Sequence, residues 1–352
     1  MKIKQFFTKK PFIISGPCSA ESESQVLATA HQNKSYTDVF RAGLWKPRTS
    51  PSSFEGVGSQ GLKWLQKVRE KTGLSVATEV ATPKHVEYCL EASIDMLWIG
   101  ARTTVNPFYV QEIAEALKGV DIPVLVKNPV HPEIGLWIGA LERFNKAGIS
   151  KLSAIHRGFH NYKNSVYRND PKWELPIKLR ERVIDMPIIC DPSHIAGKAE
   201  LVEDIAQTAI DMNFDGLMIE THINPTKALS DADQQMLPSQ LNSILQKLVL
   251  KSSKLRDQKF RNELRVLRDK IDVLDKEIIA LFQIRKEIVE QIAHLKDKNK
   301  LTIFQIERWF EILKTRKKYA NNLNLDDEYV NEIFDVIHKY SILIQTKKKE
   351  ND

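Results

Sequence analysis

Four side chains in the sequence have the character of ligands for a divalent transition metal. They are the thiol of Cys18, the imidazole of His194, and the carboxylates of Glu220 and Asp231. One soft sulfur, one nitrogen and two oxygens suit Mn²⁺, Fe²⁺, Co²⁺ or Zn²⁺ and leave coordination positions for water or substrate. This donor set disfavours a Mg²⁺ or Ca²⁺ site, which would be built from oxygen alone. No short ligand motif such as CxxC or HExxH joins the four residues, so the fold must bring them together.

Other polar residues stand where short β-branched runs of the chain end. Most of these positions carry a cationic or metal-competent side chain: Cys18, Lys46, Arg48, Glu79, Arg102, Lys127, Arg157, His194 and Glu220. Each of them alone also fits a solvated loop charge or a buried structural residue. Together they predict a basic pocket beside a metal site.

Eight such runs alternate with longer amphipathic stretches, which is the pattern of βα units around a parallel sheet. The runs span residues 12–15, 38–41, 75–79, 96–100, 123–127, 152–155, 187–191 and 216–220. Neither a GxGxxG turn nor a GxxxxGK[ST] loop follows any of them, which argues against an open nucleotide-binding sheet. We therefore predict an α/β fold of the (β/α)8 TIM-barrel type, whose active site forms at the carboxyl end of the strands.

The bulk properties limit the class of protein and its partners. The chain has 352 residues, which exceeds the roughly 250–300 at which one hydrophobic core stops growing. Its formal net charge of +7 points to anionic partners, which could be nucleic acid, a membrane surface or small phosphorylated and carboxylated metabolites. The basic clusters lack interleaved aromatic residues, and no apolar run has the length of a membrane span. We expect a cytoplasmic enzyme that acts on small anions and binds neither nucleic acid nor membrane.

The composition and the hydrophobic pattern of the sequence change past Leu250. No proline or glycine follows Pro238, and the β-branched runs disappear. Apolar periodicity predicts three helices, over residues 261–298, 305–319 and 326–346. We therefore divide the chain into a barrel domain over residues 1–253 and an all-α three-helix domain over residues 254–352.

Seven segments of the first 240 residues, in order, resemble 3-deoxy-D-arabino-heptulosonate 7-phosphate (DAHP) synthase of the type I family, β-subgroup. They are SGPCS, KPRTSP, IGAR, VKNP, HRGF, CDPSH and IETHINPTKALSDADQQ, which begin at residues 15, 46, 99, 126, 156, 190 and 219. The resemblance implies a metal-dependent condensation of phosphoenolpyruvate with erythrose 4-phosphate, with Mn²⁺ as the first choice of metal. It implies that the metal ligands are Cys18, His194, Glu220 and Asp231. It further implies contacts to phosphoenolpyruvate from Lys46, Arg102, Lys127 and Arg157, with catalytic roles for Lys46 and Lys127, and contacts to the aldose phosphate from Arg48, Thr49 and Ser50.

The segment after the second run distinguishes this family from its nearest rival. The rival, 3-deoxy-D-manno-octulosonate 8-phosphate synthase, performs the same condensation on arabinose 5-phosphate. This chain reads KPRTS at residues 46–50, whereas the rival carries a KANRTS-like run. The segment favours the four-carbon acceptor, and the octulosonate synthase is the alternative.

A charged residue interrupts the apolar seam of the first predicted helix. The seam repeats at steps of three and four residues and consists of Leu264, Leu267, Ile271, Leu274, Ile278, Leu281, Ile288, Ile292 and Leu295. Arg285 stands where an apolar residue belongs, and an unpaired buried guanidinium would be costly. It therefore needs an anion, either a glutamate of another helix or a ligand. Lys296 follows on the same face, and Ser341 and Gln345 share one face of the third helix.

The run from residue 263 to residue 296, with the two helices after it, is similar to the all-helical chorismate mutase family. The similarity implies that chorismate contacts Arg268, Arg285, Lys296, Arg308, Ser341 and Gln345, with catalytic roles for Arg285 and Lys296. The reaction is an intramolecular rearrangement, which requires neither a nucleophile nor a metal. Gln305 and Trp309 depart from the family pattern, because a bacterial member typically carries an acidic residue at the first position and a hydroxyl-accepting glutamate at the second.

The length of the first predicted helix indicates an oligomer. At 1.5 Å per residue it would run about 50 Å, too far for two short helices to cover. We expect a homodimer through the helical domain, with a higher oligomer left open. The family resemblance implies that Arg268 reaches the site of the other subunit.

A chorismate-derived product such as prephenate, bound in this domain, is expected to inhibit the barrel. The alternative is that the helical domain serves only in dimerisation and regulation, and Trp309 favours that alternative.

Overall fold

The computed structural model describes residues 1, 3–47, 52–161, 165–251 and 257–347. Contacts between residues divide the chain into two units, Met1–Ser253 and Lys254–Asp352. Each unit has its own packing and its own site.

The first unit is a closed barrel of eight parallel strands, in which each strand pairs with the next along the chain and the last pairs with the first. This arrangement confirms the predicted fold. The strands are β1 (Phe12–Gly16), β2 (Val39–Arg41), β3 (Ser75–Val80), β4 (Met96–Ile99), β5 (Val124–Lys127), β6 (Leu152–His156), β7 (Ile188–Cys190) and β8 (Gly216–Glu220).

Ten helices of the described chain surround or cap this barrel: α1 (Glu23–Asn33), α2 (Gln60–Thr72), α3 (Pro83–Glu91), α4 (Ala101–Thr104), α5 (Pro107–Ala116), α6 (Ile134–Lys146), α7 (Glu174–Arg182), α8 (Pro192–Ala196), α9 (Val202–Asp211) and α10 (Pro238–Lys247). Side-chain caps fix where several of them begin. Ser22 accepts a hydrogen bond from the backbone of Gln25 at the start of α1, and Thr82 does the same for His85 at the start of α3. The short helices α4 and α8 begin directly after β4 and β7.

Alternation along the strands separates two apolar layers. Within the barrel, Trp98, Ile14 and Leu125 pack together with other inward-facing strand residues. Ile13, Phe40 and Val126 point outward and pack against the helices. Because the interior is filled by side chains, the space for a ligand lies at an end of the barrel and not along its axis.

The second unit has three helices, α11 (Gln258–Lys298), α12 (Ile306–Asn322) and α13 (Asp327–Lys347). The sequence predicted all three, although α11 begins three residues earlier than expected because Asp257 accepts a hydrogen bond from the backbone of Lys259. Helix α13 packs against both α11 and α12. The apolar seam of α11 stays largely exposed in the single chain, with Leu274 at 55% and Leu281 at 63%.

No helix in the described part of the chain combines the length and apolar character required to cross a bilayer.

A glycine at the end of β1 is required by close backbone approach. A Cβ built at Gly16, where φ is +150°, would overlap the carbonyl oxygen of Arg41. Gly119 also has a positive φ, of +83°, but a Cβ built there would have no atom within 4 Å.

We predict that Gly16→Ala lowers the free energy of unfolding of the barrel by about 3 kcal/mol, because the methyl group adds a clash to the backbone strain. Gly119→Ala is the matched control and should cost about 1 kcal/mol, because only the strain applies. Urea titration followed by tryptophan fluorescence measures both. Equal losses in the two variants would contradict the contact at Gly16.

Candidate active sites

Three of the four predicted metal ligands come together at the carboxyl end of the barrel. Cys18, Glu220 and Asp231 each offer a ligand atom, and these atoms all lie within 4.8 Å of one another. The Cys18 thiol lies 3.2 Å from Oδ2 of Asp231. Burial and the neighbouring Glu220 charge raise the pKa of Cys18 to about 12, so the thiol is protonated in this arrangement.

His194, the fourth predicted ligand, lies beside this cluster. Its Nδ1 is 3.9 Å from Oε1 of Glu220, and the same nitrogen is within 2.9 and 3.0 Å of the two Asp191 oxygens. Asp191 also accepts from the backbone N–H of His194 at 3.1 Å, because it caps α8. Nδ1 is therefore engaged by Asp191, which leaves Nε2 as the nitrogen available to a metal.

The donor set of this cluster fits a divalent transition metal. A thiol and two carboxylates are removed from water at one point of the barrel, and an imidazole stands next to them. Carboxylates packed this closely repel each other unless cations separate or balance them. Burial alone would raise the pKa of Glu220, but His194, Arg41 and Lys46 lower it to about 2, so this carboxylate is ionised.

A cavity of about 370 Å³ opens beside the cluster. All four residues predicted to hold phosphoenolpyruvate line it: Lys46, Arg102, Lys127 and Arg157. Asp231, His194 and Glu79 line it as well. Arg48, Thr49 and Ser50, predicted to hold the aldose phosphate, lie outside the described residues.

Contacts from several strands fix the cations of this cavity. Lys46 donates to the carbonyl oxygen and the sulfur of Cys18 at 3.0 and 3.1 Å, and Lys127 is paired with Asp191 at 2.8 Å. Arg157 donates to Oδ1 of Asn169 at 2.9 Å. Burial, together with the nearby cations, lowers the pKa of Arg157 to about 10. A guanidinium with a lowered pKa in a cavity favours the binding of an anion.

Two further arginines belong to this site, and the sequence did not indicate them. Arg41, at the end of β2, is fully buried and paired with Oε1 of Glu220 at 2.5 Å. Arg168 is paired with Oδ1 of Asp231 at 2.9 Å and lines the cavity. Arg41 was missed because its partner Glu220 lies on another strand, 179 residues away in the sequence, and Arg168 because it lies in a long loop, far from any strand end.

The indole of Trp98 connects the barrel interior with the site. Its ring lies 4.6 Å from the guanidinium of Arg41, and its Nε1 donates to Oε2 of Glu79 at 2.9 Å. Glu79 in turn fills the space beside the Cα of Gly100, where a Cβ would overlap its carboxylate. Gly100 thus allows a buried acid to reach the cavity.

The helical unit brings together part of its predicted site. Arg285 donates to Oγ of Ser341 at 2.7 Å, and the side chain of Gln345 donates to the backbone of Ser341 at 3.2 Å. Lys296 donates to the carbonyl oxygen of Ile303 at 2.6 Å. Burial lowers the pKa of both Arg285 and Lys296, and the charge of Arg316 adds to the effect at Arg285.

The other two predicted arginines are not part of this arrangement. Arg308 is paired with Glu311 at 2.5 Å and is 56% exposed, and Arg268 lies on an exposed part of α11. The glutamate that could have neutralised Arg285 is not found, since within the described chain no carboxylate forms a salt bridge with it. Its polar partner is a neutral hydroxyl.

Two family models match the chain, each over one of its units. The model of the DAHP synthetase I family matches residues 7–257. The model of chorismate mutase type II matches residues 267–346.

Known proteins resemble part of the chain in sequence and structure. A phospho-2-dehydro-3-deoxyheptonate aldolase from Thermotoga maritima is 33% identical over 229 residues, which are 64% of this chain and 64% of that protein. A 2-dehydro-3-deoxyphosphooctonate aldolase from Campylobacter jejuni is 28% identical over 275 residues, covering 68% of this chain and 96% of that protein. The crystal structure of the Thermotoga maritima DAHP synthase superposes with a TM-score of 0.62 at 28% identity, covering 68% of each chain.

The Thermotoga relative and this chain thus share somewhat less than two thirds of their lengths. The family match spans well over half of the chain, and the second model accounts for the helical unit. The chain therefore belongs to the DAHP synthetase I family and carries a chorismate mutase type II domain in its C-terminal unit.

Proposed function

We propose that the chain is a bifunctional enzyme of the shikimate pathway. Its barrel condenses phosphoenolpyruvate with erythrose 4-phosphate to DAHP and phosphate, and its helical unit converts chorismate to prephenate. The observation that carries the first activity is a cavity lined with lysine and arginine beside a thiol–carboxylate cluster. Phosphoenolpyruvate, which is small, planar and polyanionic, is a substrate that such a cavity would bind.

The binding roles follow from charge and position. Lys46, Arg102, Lys127 and Arg157 would neutralise the carboxylate and phosphate of phosphoenolpyruvate and orient it for attack. Arg48, Thr49 and Ser50 would hold the phosphate of the aldose. Arg168 adds a further cation to the same cavity. Because positive charge surrounds the reacting carbons, the pocket would also stabilise the anionic intermediate formed after water adds to phosphoenolpyruvate.

The metal would be held by Cys18, His194, Glu220 and Asp231, with Mn²⁺ the first choice and Fe²⁺, Co²⁺ or Zn²⁺ the others. A bound divalent ion supplies Lewis acidity, which draws electron density from the aldehyde oxygen of the acceptor. Asp191 would fix the ring of His194 and the ammonium of Lys127 at once, because it pairs with both. Glu79, which reaches the cavity from β3, is a candidate for proton transfer.

In the helical unit, Arg285 and Lys296 would carry the catalytic charges. The guanidinium would bind a carboxylate of chorismate, and the ammonium would stabilise negative charge on the breaking ether oxygen. Ser341 and Gln345 would add neutral hydrogen bonds, and Arg308 would turn from Glu311 to the ligand. The exposed seam of α11 supports a homodimer, in which Arg268 of the partner subunit would complete the site.

Phosphate release from phosphoenolpyruvate tests the barrel. We predict release with erythrose 4-phosphate at about 100 times the rate with arabinose 5-phosphate, loss of both rates with a chelator, and recovery with Mn²⁺.

Cys18→Ser should weaken metal affinity by about 100-fold, because a thiolate ligand is lost. Cys89→Ser, a buried thiol on α3, is the matched control and should leave affinity unchanged.

A faster rate with arabinose 5-phosphate would assign the chain to the octulosonate reaction, which the Campylobacter jejuni relative bears in its name. Full activity in the presence of chelator would contradict the metal site.

Chorismate consumption tests the helical unit. Arg285→Ala should lower kcat/KM by about 10²–10³-fold, because a desolvated cation that binds the substrate charge is lost. Lys286→Ala, a neighbouring cation that is 51% exposed, should change the rate less than about twofold. A wild-type rate no higher than that of Arg285→Ala would favour the alternative in which the helical unit serves only in dimerisation and regulation.

Feedback by a chorismate-derived product is the last part of the proposal. Prephenate bound in the helical unit would inhibit the barrel, since this unit is the one that recognises the pathway's later intermediates. We predict that prephenate slows phosphate release by the full chain and leaves a chain shortened to residues 1–251 unaffected. Equal inhibition of both chains would rule out this route.

A further inference from the structure

Helix α13 presents a polar stripe that extends beyond the two residues already placed in the site. His338 precedes Ser341 by three residues and Gln345 by seven, so all three lie on one face of the helix. Ser341 accepts the hydrogen bond of Arg285 from α11. The stripe therefore faces the cations of the helical unit.

Two buried polar atoms of this stripe have no hydrogen-bond partner in the described part of the chain. They are Nε2 of His338 and Oε1 of Gln345. A buried polar atom without a partner loses its hydration and gains nothing in return, so a ligand with a suitable group would recover that loss. The amide of Gln345 can exchange its oxygen and nitrogen by rotation, whereas packed rings fix the plane of the His338 imidazole.

Aromatic rings fix the orientation of His338. Its ring stacks on the indole of Trp309, with centroids 3.9 Å apart and an interplanar angle of 22°. The ring of Phe304 meets it edge-on at 5.9 Å. Phe304 directly follows Ile303, whose carbonyl oxygen accepts the hydrogen bond of Lys296. The imidazole is thus held at the border of the site that contains Arg285 and Lys296.

The charge state of this ring follows from its surroundings. Burial lowers the pKa of His338, and the charges of Arg285 and Lys296 lower it further, against an opposing effect of Asp335. The ring is therefore neutral at pH 7 and offers one nitrogen as an acceptor. Arg285, Lys296 and Trp309 can only donate, so the side chains of this site that can accept are His338, Ser341 and Gln345.

We propose that His338 accepts a hydrogen bond from the ring hydroxyl of the bound hydroxy-dicarboxylate, and that Trp309 holds the imidazole in position for this contact. The inference rests on the proposed mutase activity and names a binding residue for it. Arg285 and Lys296 serve the carboxylate and the ether oxygen of the substrate, and the hydroxyl is the substrate group that needs an acceptor. His338 supplies that acceptor through a side chain that the site otherwise leaves unsatisfied.

Two variants of the full chain separate binding from packing. His338→Phe keeps a ring against Trp309 and removes the acceptor, and His338→Gln restores an acceptor of similar reach. We expect kcat/KM for chorismate to fall about tenfold in the phenylalanine variant and to recover to within about threefold of wild type in the glutamine variant. Thermal melting followed by circular dichroism checks that both variants fold.

A pair of inert dicarboxylate inhibitors, identical except for the ring hydroxyl, supplies the decisive readout. His338→Phe should weaken the hydroxylated inhibitor about tenfold and leave the inhibition constant of its deoxy counterpart unchanged. Equal weakening of both inhibitors would assign His338 a packing role and overturn the inference, as would an unchanged kcat/KM. If wild type consumes no chorismate, the mutase activity and the inference fall together, whereas an active wild type with an unaffected phenylalanine variant overturns the inference alone.

Discussion

Negative charge buried at the carboxyl end of the barrel governs the arrangement of the first unit. Ionised carboxylates removed from water each cost several kcal/mol unless a cation or a donor accompanies them. Four carboxylates at this end of the barrel each have a partner from a different strand or loop: Glu220 has Arg41, Asp191 has Lys127, Asp231 has Arg168, and Glu79 has the indole of Trp98. The pairs join β2 to β8 and β5 to the loop after β7, so the charges are balanced only when the barrel is closed in its native register.

The two units differ in how their buried charges are paired. In the barrel the carboxylates are paired, and the cavity still retains cations such as Arg102 and Arg157 that have neutral partners. In the helical unit Arg285 and Lys296 are partly desolvated and donate to a hydroxyl and a backbone carbonyl. Each site therefore contains cations whose hydrogen-bond partners are neutral, and these cations can bind a polyanionic ligand.

The sequence predicted the barrel and the three helices because hydrophobic periodicity and strand exits are local signals. It also predicted that Lys46, Arg102, Lys127 and Arg157 would line one basic pocket, since each lies at or after the end of a strand. It did not predict Arg41, because nothing near this residue in the sequence indicates that Glu220, 179 residues later, lies beside it. Nor could it separate the roles of the two His194 nitrogens, which depend on a contact with Asp191 that only the start of α8 creates. His338 was missed for the same reason, since its neighbours come from two other parts of the helical unit.

The packed interior of the barrel limits the directions from which a ligand can approach the thiol–carboxylate cluster. Trp98, Met218 and the other inward-facing residues fill the space below the thiol–carboxylate cluster, and all are at most 6% exposed. An ion bound at Cys18 would therefore not arrive along the barrel axis, and the cavity that Lys46 and Arg157 line opens beside this cluster. A substrate bound in that cavity would stand between the metal and the solvent and slow the escape of the ion for as long as it stayed. Substrate binding would then slow the release of the metal because both use the same opening. The residues that bind the metal would not have to change.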